Sequence, residues 1–246
     1  MPCPESPVAP VGFPPSPRPR SRREITIEVV AVLMAVVVPA IFSSLWGHLW
    51  PPRHLTEAQY DQLPFARRAL PLLGTLVANA RDIAVILCVV WLTREPWTRF
   101  GLRWSRWDVE LMDGVGLGCI SCVLFIFSQG LAKRLGLAFQ DGLFHTPADT
   151  AEHALVILTS ITTGISEELA MRGYLTTRFE QLLGSSRGAI LVTSILFALC
   201  HLYQGSAGPF WTALSGLLFG MTFCWIRRLW PIAIAHGVAN YLFLTW

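Results

Sequence analysis

Seven stretches of this chain are apolar for about as long as a bilayer is thick: 25–46, 69–92, 109–131, a run starting near residue 148, 188–203, 210–226 and 230–246. A helix rises about 1.5 Å per residue, so runs of this length cross a hydrocarbon core of about 30 Å. Lipid cannot satisfy backbone N–H and C=O groups, and helices satisfy their own. The pattern therefore selects an all-α, polytopic transmembrane helical bundle of about seven spans. With 53% hydrophobic and only 14% charged residues, no soluble domain fits beside it. The formal charge of +3 is small and its cations flank the apolar runs, so they read as topology signals and not as a nucleic-acid surface.

Residues 1–23 form a separate unit. Eight prolines up to Pro19 and the arginines Arg18, Arg20, Arg22 and Arg23 describe a disordered basic tail with little to bury. The span after it is too long for a signal-peptide core and lacks a cleavage site, so 24–246 is the membrane domain. Counting Lys and Arg on alternate sides gives thirteen against five, which puts the N-terminus in the cytoplasm and the C-terminus outside.

Polar residues inside the spans need a reason, since an acid at the centre of a bilayer helix costs roughly 2.5–3.5 kcal/mol on the mildest scale. In the second run, Asn79, Arg81 and Asp82 stand at unusual depth: one reading is a pore or substrate contact, and the favoured one is that the helix starts later or that Arg81 pairs inside the bundle with Asp113 or Glu110. The small residues Gly114, Gly116, Gly118 and Ser121 of the third run allow close helix packing. Cys119 and Cys122 have CxxC-like spacing but no second pair, and with the other four cysteines they read as reduced packing residues.

The strongest signal is Glu167-Glu168 with Arg172 at the inner end of an apolar run. Glu168 and Arg172 are four residues apart and share a helix face, so they can pair. Glu167 lies about 100° around the helix, with Thr163 and Met171 four residues away on either side, and has no such partner. One carboxylate is tied down and the other is available as a general base. The helix carrying them runs from about 148 to 183, too long to cross upright, so it must tilt, bend at Gly164 or turn along the interface.

Two more polar clusters follow: His201, expected well inside its helix, and His236 with Asn240 four residues on and on the same face. Packed in one bundle, the three clusters converge. Glu167, His201 and His236 are a plausible ligand set for a divalent metal such as zinc, which would supply a metal-bound hydroxide. Equally, Glu167 could take a proton from a water oriented by His201 while His236 and Asn240 donate to an oxyanion. Both routes hydrolyse a carbonyl. His48, His54, His145 and His153 lie in or near loops and carry no assigned role.

Glu167 to Arg172 resembles the EExxxR motif of the CPBP family, the CAAX-processing and bacteriocin-processing membrane enzymes also called Abi. Phe197 to His201 is similar to its FxxxH motif and His236 to Asn240 to its HxxxN motif, in the same order; the likeness covers about 148–246, with 100–103 a fainter match. The resemblance implies an intramembrane endopeptidase of the glutamate type without a metal. By it, Glu167 is the base, His201 helps activate water, His236 and Asn240 stabilise the oxyanion, and Glu168 and Arg172 support the site. Met171 stands where the family often has an aromatic residue. The implied partner is a membrane-associated protein or peptide substrate in the bilayer, reached laterally or from the cytoplasmic side. The rivals are a metal-dependent version of the same protease, a non-proteolytic scaffold or immunity protein, and a proton-relay transporter. The last would call for repeats or broken helices at matching positions, which the sequence lacks.

Overall fold

Ser21 opens the first helix with a reciprocal cap: its hydroxyl accepts from the Glu24 N–H at 3.2 Å, and the Glu24 carboxylate accepts from the Ser21 N–H at 2.8 Å. Arg22 and Arg23 therefore belong to the helix and not to the tail. The structure, a computed structural model, describes residues 20–51, 55–140 and 145–244. The rest of the expected tail lies outside the described residues.

The described chain is helical apart from short turns and one isolated bridge between Phe139 and Gly205. Seven main helices follow in order: α1 (Arg22–Leu49), α2 (Phe65–Thr93), α3 (Trp107–Arg134), α4 (Thr150–Leu183), α5 (Ser186–Leu199), α6 (Ala207–Ile226) and α7 (Trp230–Leu244). All but α5 and α7 are long and apolar enough to cross a membrane by themselves. The molecule is an all-helical integral membrane bundle.

Packing is set by small residues. α7 lies against both α3 and α4, α5 against α6, and α2 against α4. A Cβ on Gly164 of α4 would stand 2.7 Å from the Ala233 carbonyl and 2.8 Å from the Gly237 nitrogen, so α4 and α7 touch backbone to backbone. On the other side of α7, Gly114 of α3 leaves room for Ile234. Gly164 is thus a contact and not the expected bend. Helical geometry runs through it, and the irregularity comes later, where Leu169–Thr176 winds as a π-helix.

One end of the bundle is closed by charge pairs. Arg178, fully buried, binds Glu28 and Glu95 at 2.8 Å each, and Tyr174 donates to Glu28 at 2.6 Å. These contacts join α1, the loop after α2, and α4. Arg227 pairs with Glu180 at 2.7 Å. Arg228 pairs with Asp113 and, at 3.3 Å, with Glu110. Arg81 does not reach those acids. It pairs with its neighbour Asp82 at 2.8 Å and is half exposed, because α2 packs on α4 while Asp113 and Glu110 on α3 are taken by Arg228 from the start of α7. At the opposite end Arg68 binds Asp149 and, at 2.8 Å, Glu152, fastening the start of α2 to the start of α4.

Candidate active site

Each functional side chain is placed by a local feature. Glu167 and Glu168 end the regular part of α4, one residue before the π turn. His236 is carried beside them by the glycine contact, since Gly237 packs on Ser160 and Ile161 of α4. His201 is not inside a helix as expected: α5 ends at Leu199, and His201 sits in the turn that follows, where its backbone leaves helical geometry.

Glu168 is completely buried. Its Oε1 accepts from Arg172 Nη1 at 2.9 Å, the predicted pair, and lies 2.6 Å from His236 Nδ1. Arg172 is also buried; its guanidinium lies 4.6 Å from the centre of the Phe197 ring and 5.6 Å from that of Phe219, and Nη2 donates to the Gly216 carbonyl at 3.4 Å. Aromatic faces on a desolvated cation add to the ion pair. With Nδ1 turned to Glu168, the other His236 nitrogen, Nε2, faces Glu167 Oε2 at 3.5 Å. His236 thus stands between the two glutamates.

Glu167 is the freer acid. Its side chain is 32% exposed and, among the described residues, it makes no side-chain hydrogen bond. It lines a cavity of about 390 Å³ together with His236 and Asn240. His201 is not among the residues lining that space. Its Nδ1 is 2.8 Å from the Phe197 carbonyl, which can only accept, so Nδ1 carries the proton and Nε2 is the free nitrogen of the neutral ring. Its ring stands edge-on to Phe197 and stacks with Tyr203. Glu167 is near enough for its charge to be felt at His201.

The cavity has a direction. From the level of Glu167 it runs past Thr163, Ser160 and Thr159 of α4, Asn79, Thr75 and Leu72 of α2, Ser121, Phe125 and Gln129 of α3, and Trp211 of α6, to Gln140 and Gln204 at the end away from the arginine clusters. Of the two expected routes, lateral and cytoplasmic, access from the arginine-rich side does not match this course. There the way is filled by buried Leu169, Tyr174, Phe100, Phe223 and Leu229.

Several lining residues lay outside the sequence reading. Thr163 and Ser160 precede Glu167 by four and seven residues and so share its face, a polar stripe that spacing alone would have shown. Asn79, for which a pore or substrate contact is one of the readings above, lines the cavity and donates to Thr163 Oγ1 at 2.8 Å. Phe197 is more than a motif letter, because its ring covers Arg172 and its carbonyl holds His201. Ser121 of α3, expected only as a small packing residue, lines the cavity, and Phe125 and Gln129 beside it carried no sequence signal.

The metal alternative does not fit. Among the described residues no group of three or more His, Cys, Asp or Glu side chains is disposed to hold one ion, so Glu167, His201 and His236 are not gathered as a ligand set. The free cysteines show no pairing, Cys119 and Cys122 included.

Residues 149–242, from the α4 cap to the last turns of α7, match a family model described as Rce1-like, type II CAAX prenyl endopeptidase Rce1-like. Neither the comparison with curated proteins nor that with solved structures gives a match. The fold and the match together define a helical membrane protein with a CAAX-protease-like segment. The resemblance carried by the three motifs is borne out over that segment, which contains all of them.

Proposed function

We propose that the protein is an intramembrane endopeptidase in which Glu167 activates the attacking water. The observation that carries this reading is the division of labour between adjacent acids: Glu168 is buried and held by Arg172 and His236, whereas Glu167 faces the cavity without a hydrogen bond. In the reaction Glu167 takes a proton from water, and the resulting hydroxide oxygen bonds to the scissile carbonyl carbon. The carbonyl oxygen becomes an oxyanion, stabilised by His236 Nε2–H and the Asn240 amide. With Nδ1 held by Glu168, the His236 ring turns Nε2 toward Glu167 and the cavity, and that nitrogen serves as the donor when it carries a proton. Glu167 then passes its proton to the amide nitrogen, the C–N bond breaks, and an acid and an amine leave. His201 acts as a positioning residue, fixing the Phe197 turn through its Nδ1. The substrate is a membrane-associated protein or peptide.

The test compares wild type with Glu167→Gln in otherwise identical cells, mapping the termini of membrane and secreted polypeptides by mass spectrometry. Termini present in wild type and missing in the variant are expected. Their persistence at equal protein levels removes Glu167 from the reaction, and identical terminus maps favour the non-proteolytic scaffold.

A further inference from the structure

Every helix that lines the cavity does so with residues from one half of the bundle, between the level of Glu167 and the end that carries Gln140 and Gln204. No residue lining it lies deeper toward the other end, where the buried aromatic and aliphatic side chains and the Arg178–Glu28–Glu95 cluster close the bundle. The closed end is also the basic end. Ten described arginines lie in its loops and helix termini, against Arg67, Arg68, Lys133 and Arg134 at the open end. Excess Lys and Arg in short loops marks the cytoplasmic side, and acidic partners count for little in that rule.

The lining itself restricts what can enter. Among the described residues it carries no lysine, arginine or aspartate, and its ionisable groups other than Glu167 and His236 reduce to Tyr203. Three of its buried hydroxyls, on Ser121, Thr159 and Ser160, have no hydrogen-bond partner among the described residues. Such groups are costly when left unpaired, and the N–H groups of an extended peptide backbone would satisfy them.

We propose that the site is served from the non-cytoplasmic face, and that its substrate is an uncharged, extended peptide segment in the outer half of the bilayer. A carboxyl-terminal sequence presented from the cytoplasm would meet the closed end. The word substrate rests on the protease reading; the sidedness of the cavity does not.

The test uses the full chain with its native cysteines replaced by alanine and single cysteines introduced at Gln129→Cys in the cavity, Lys133→Cys at the open end and Arg187→Cys at the closed end. A membrane-impermeant thiol reagent applied to intact cells and to inverted vesicles reads the side. Gln129→Cys and Lys133→Cys should label from outside, and Arg187→Cys only in inverted vesicles. Gln204→Cys, nearer the mouth, repeats the measurement should Gln129→Cys fail to fold. Labelling of the cavity cysteine only from the side that labels Arg187→Cys, or of Arg187→Cys from outside, overturns the proposal. In the terminus maps, Glu167-dependent cuts should fall in exported or outer-leaflet segments. Cuts in cytoplasmic tails overturn the sidedness but leave proteolysis standing, whereas a map without any Glu167-dependent cut overturns proteolysis itself.

Discussion

His236 Nδ1 lies 2.6 Å from Glu168 Oε1, while the opposite nitrogen of the same ring faces Glu167 at 3.5 Å. One imidazole from α7 thereby separates two neighbouring acids of α4 into a fixed group and one that faces the cavity. Glu168 and Arg172 hold the ring, and the ring orders the space in front of Glu167.

Arg172→Met should destabilise the bundle by about 3–5 kcal/mol, because it leaves Glu168 buried with one partner fewer. The double variant Arg172→Met with Glu168→Gln removes both charges and should recover part of that loss. Thermal unfolding in detergent micelles reads both. A single variant as stable as wild type means that the ion pair contributes nothing.

Gly164→Ala adds a methyl group 2.7 Å from the Ala233 carbonyl, where only a backbone shift makes room. It should push α4 away from α7 and separate Glu167 from His236; a displacement of about 1 Å can cost 100-fold in rate. Gly116→Ala meets nothing within 4 Å and should be neutral or stabilising by up to about 1 kcal/mol. Cleavage rates and unfolding curves of the two variants, taken side by side, decide whether the helix contact sets the site.

Asp149 caps α4 at the membrane edge. Its carboxylate accepts from the Glu152 N–H at 2.9 Å and also binds Arg68, and these contacts, the Glu152 N–H foremost, hold its pKa below the usual carboxylate range. A carboxylate depressed on folding contributes stability above its unfolded pKa of about 3.9 and loses it as the pH falls through the lower folded value. Asp149→Asn should therefore be less stable than wild type at neutral pH, with the gap closing below about pH 4. Unfolding midpoints measured from neutral to acid pH would show it; a gap that widens on acidification contradicts the assignment.

Removal of divalent metal should leave turnover unchanged, because the described side chains offer no grouped set of three ligands. Cleavage assayed before and after chelation is the check. Loss of activity restored by added zinc would bring back the Glu167, His201 and His236 ligand set.

Which features were legible in the sequence follows from the range of the forces involved. The helical bundle, the Glu168–Arg172 pair and the shared face of His236 and Asn240 are consequences of hydropathy and of a period of 3.6 residues, and neighbours along one chain suffice to state them. The rest depends on how helices meet. A rotation of one residue, about 100°, would turn His236 away from the glutamates, and nothing in its own helix forbids that. The close approach of Gly164 to α7 does. Likewise Arg81 finds Asp82 and not Asp113, His201 falls beyond the end of α5, and the cavity runs to the arginine-poor end, because tertiary packing decides which faces are covered. Local periodicity determined the candidate groups; helix contacts decided which of them face one another and toward which end of the bundle their cavity runs.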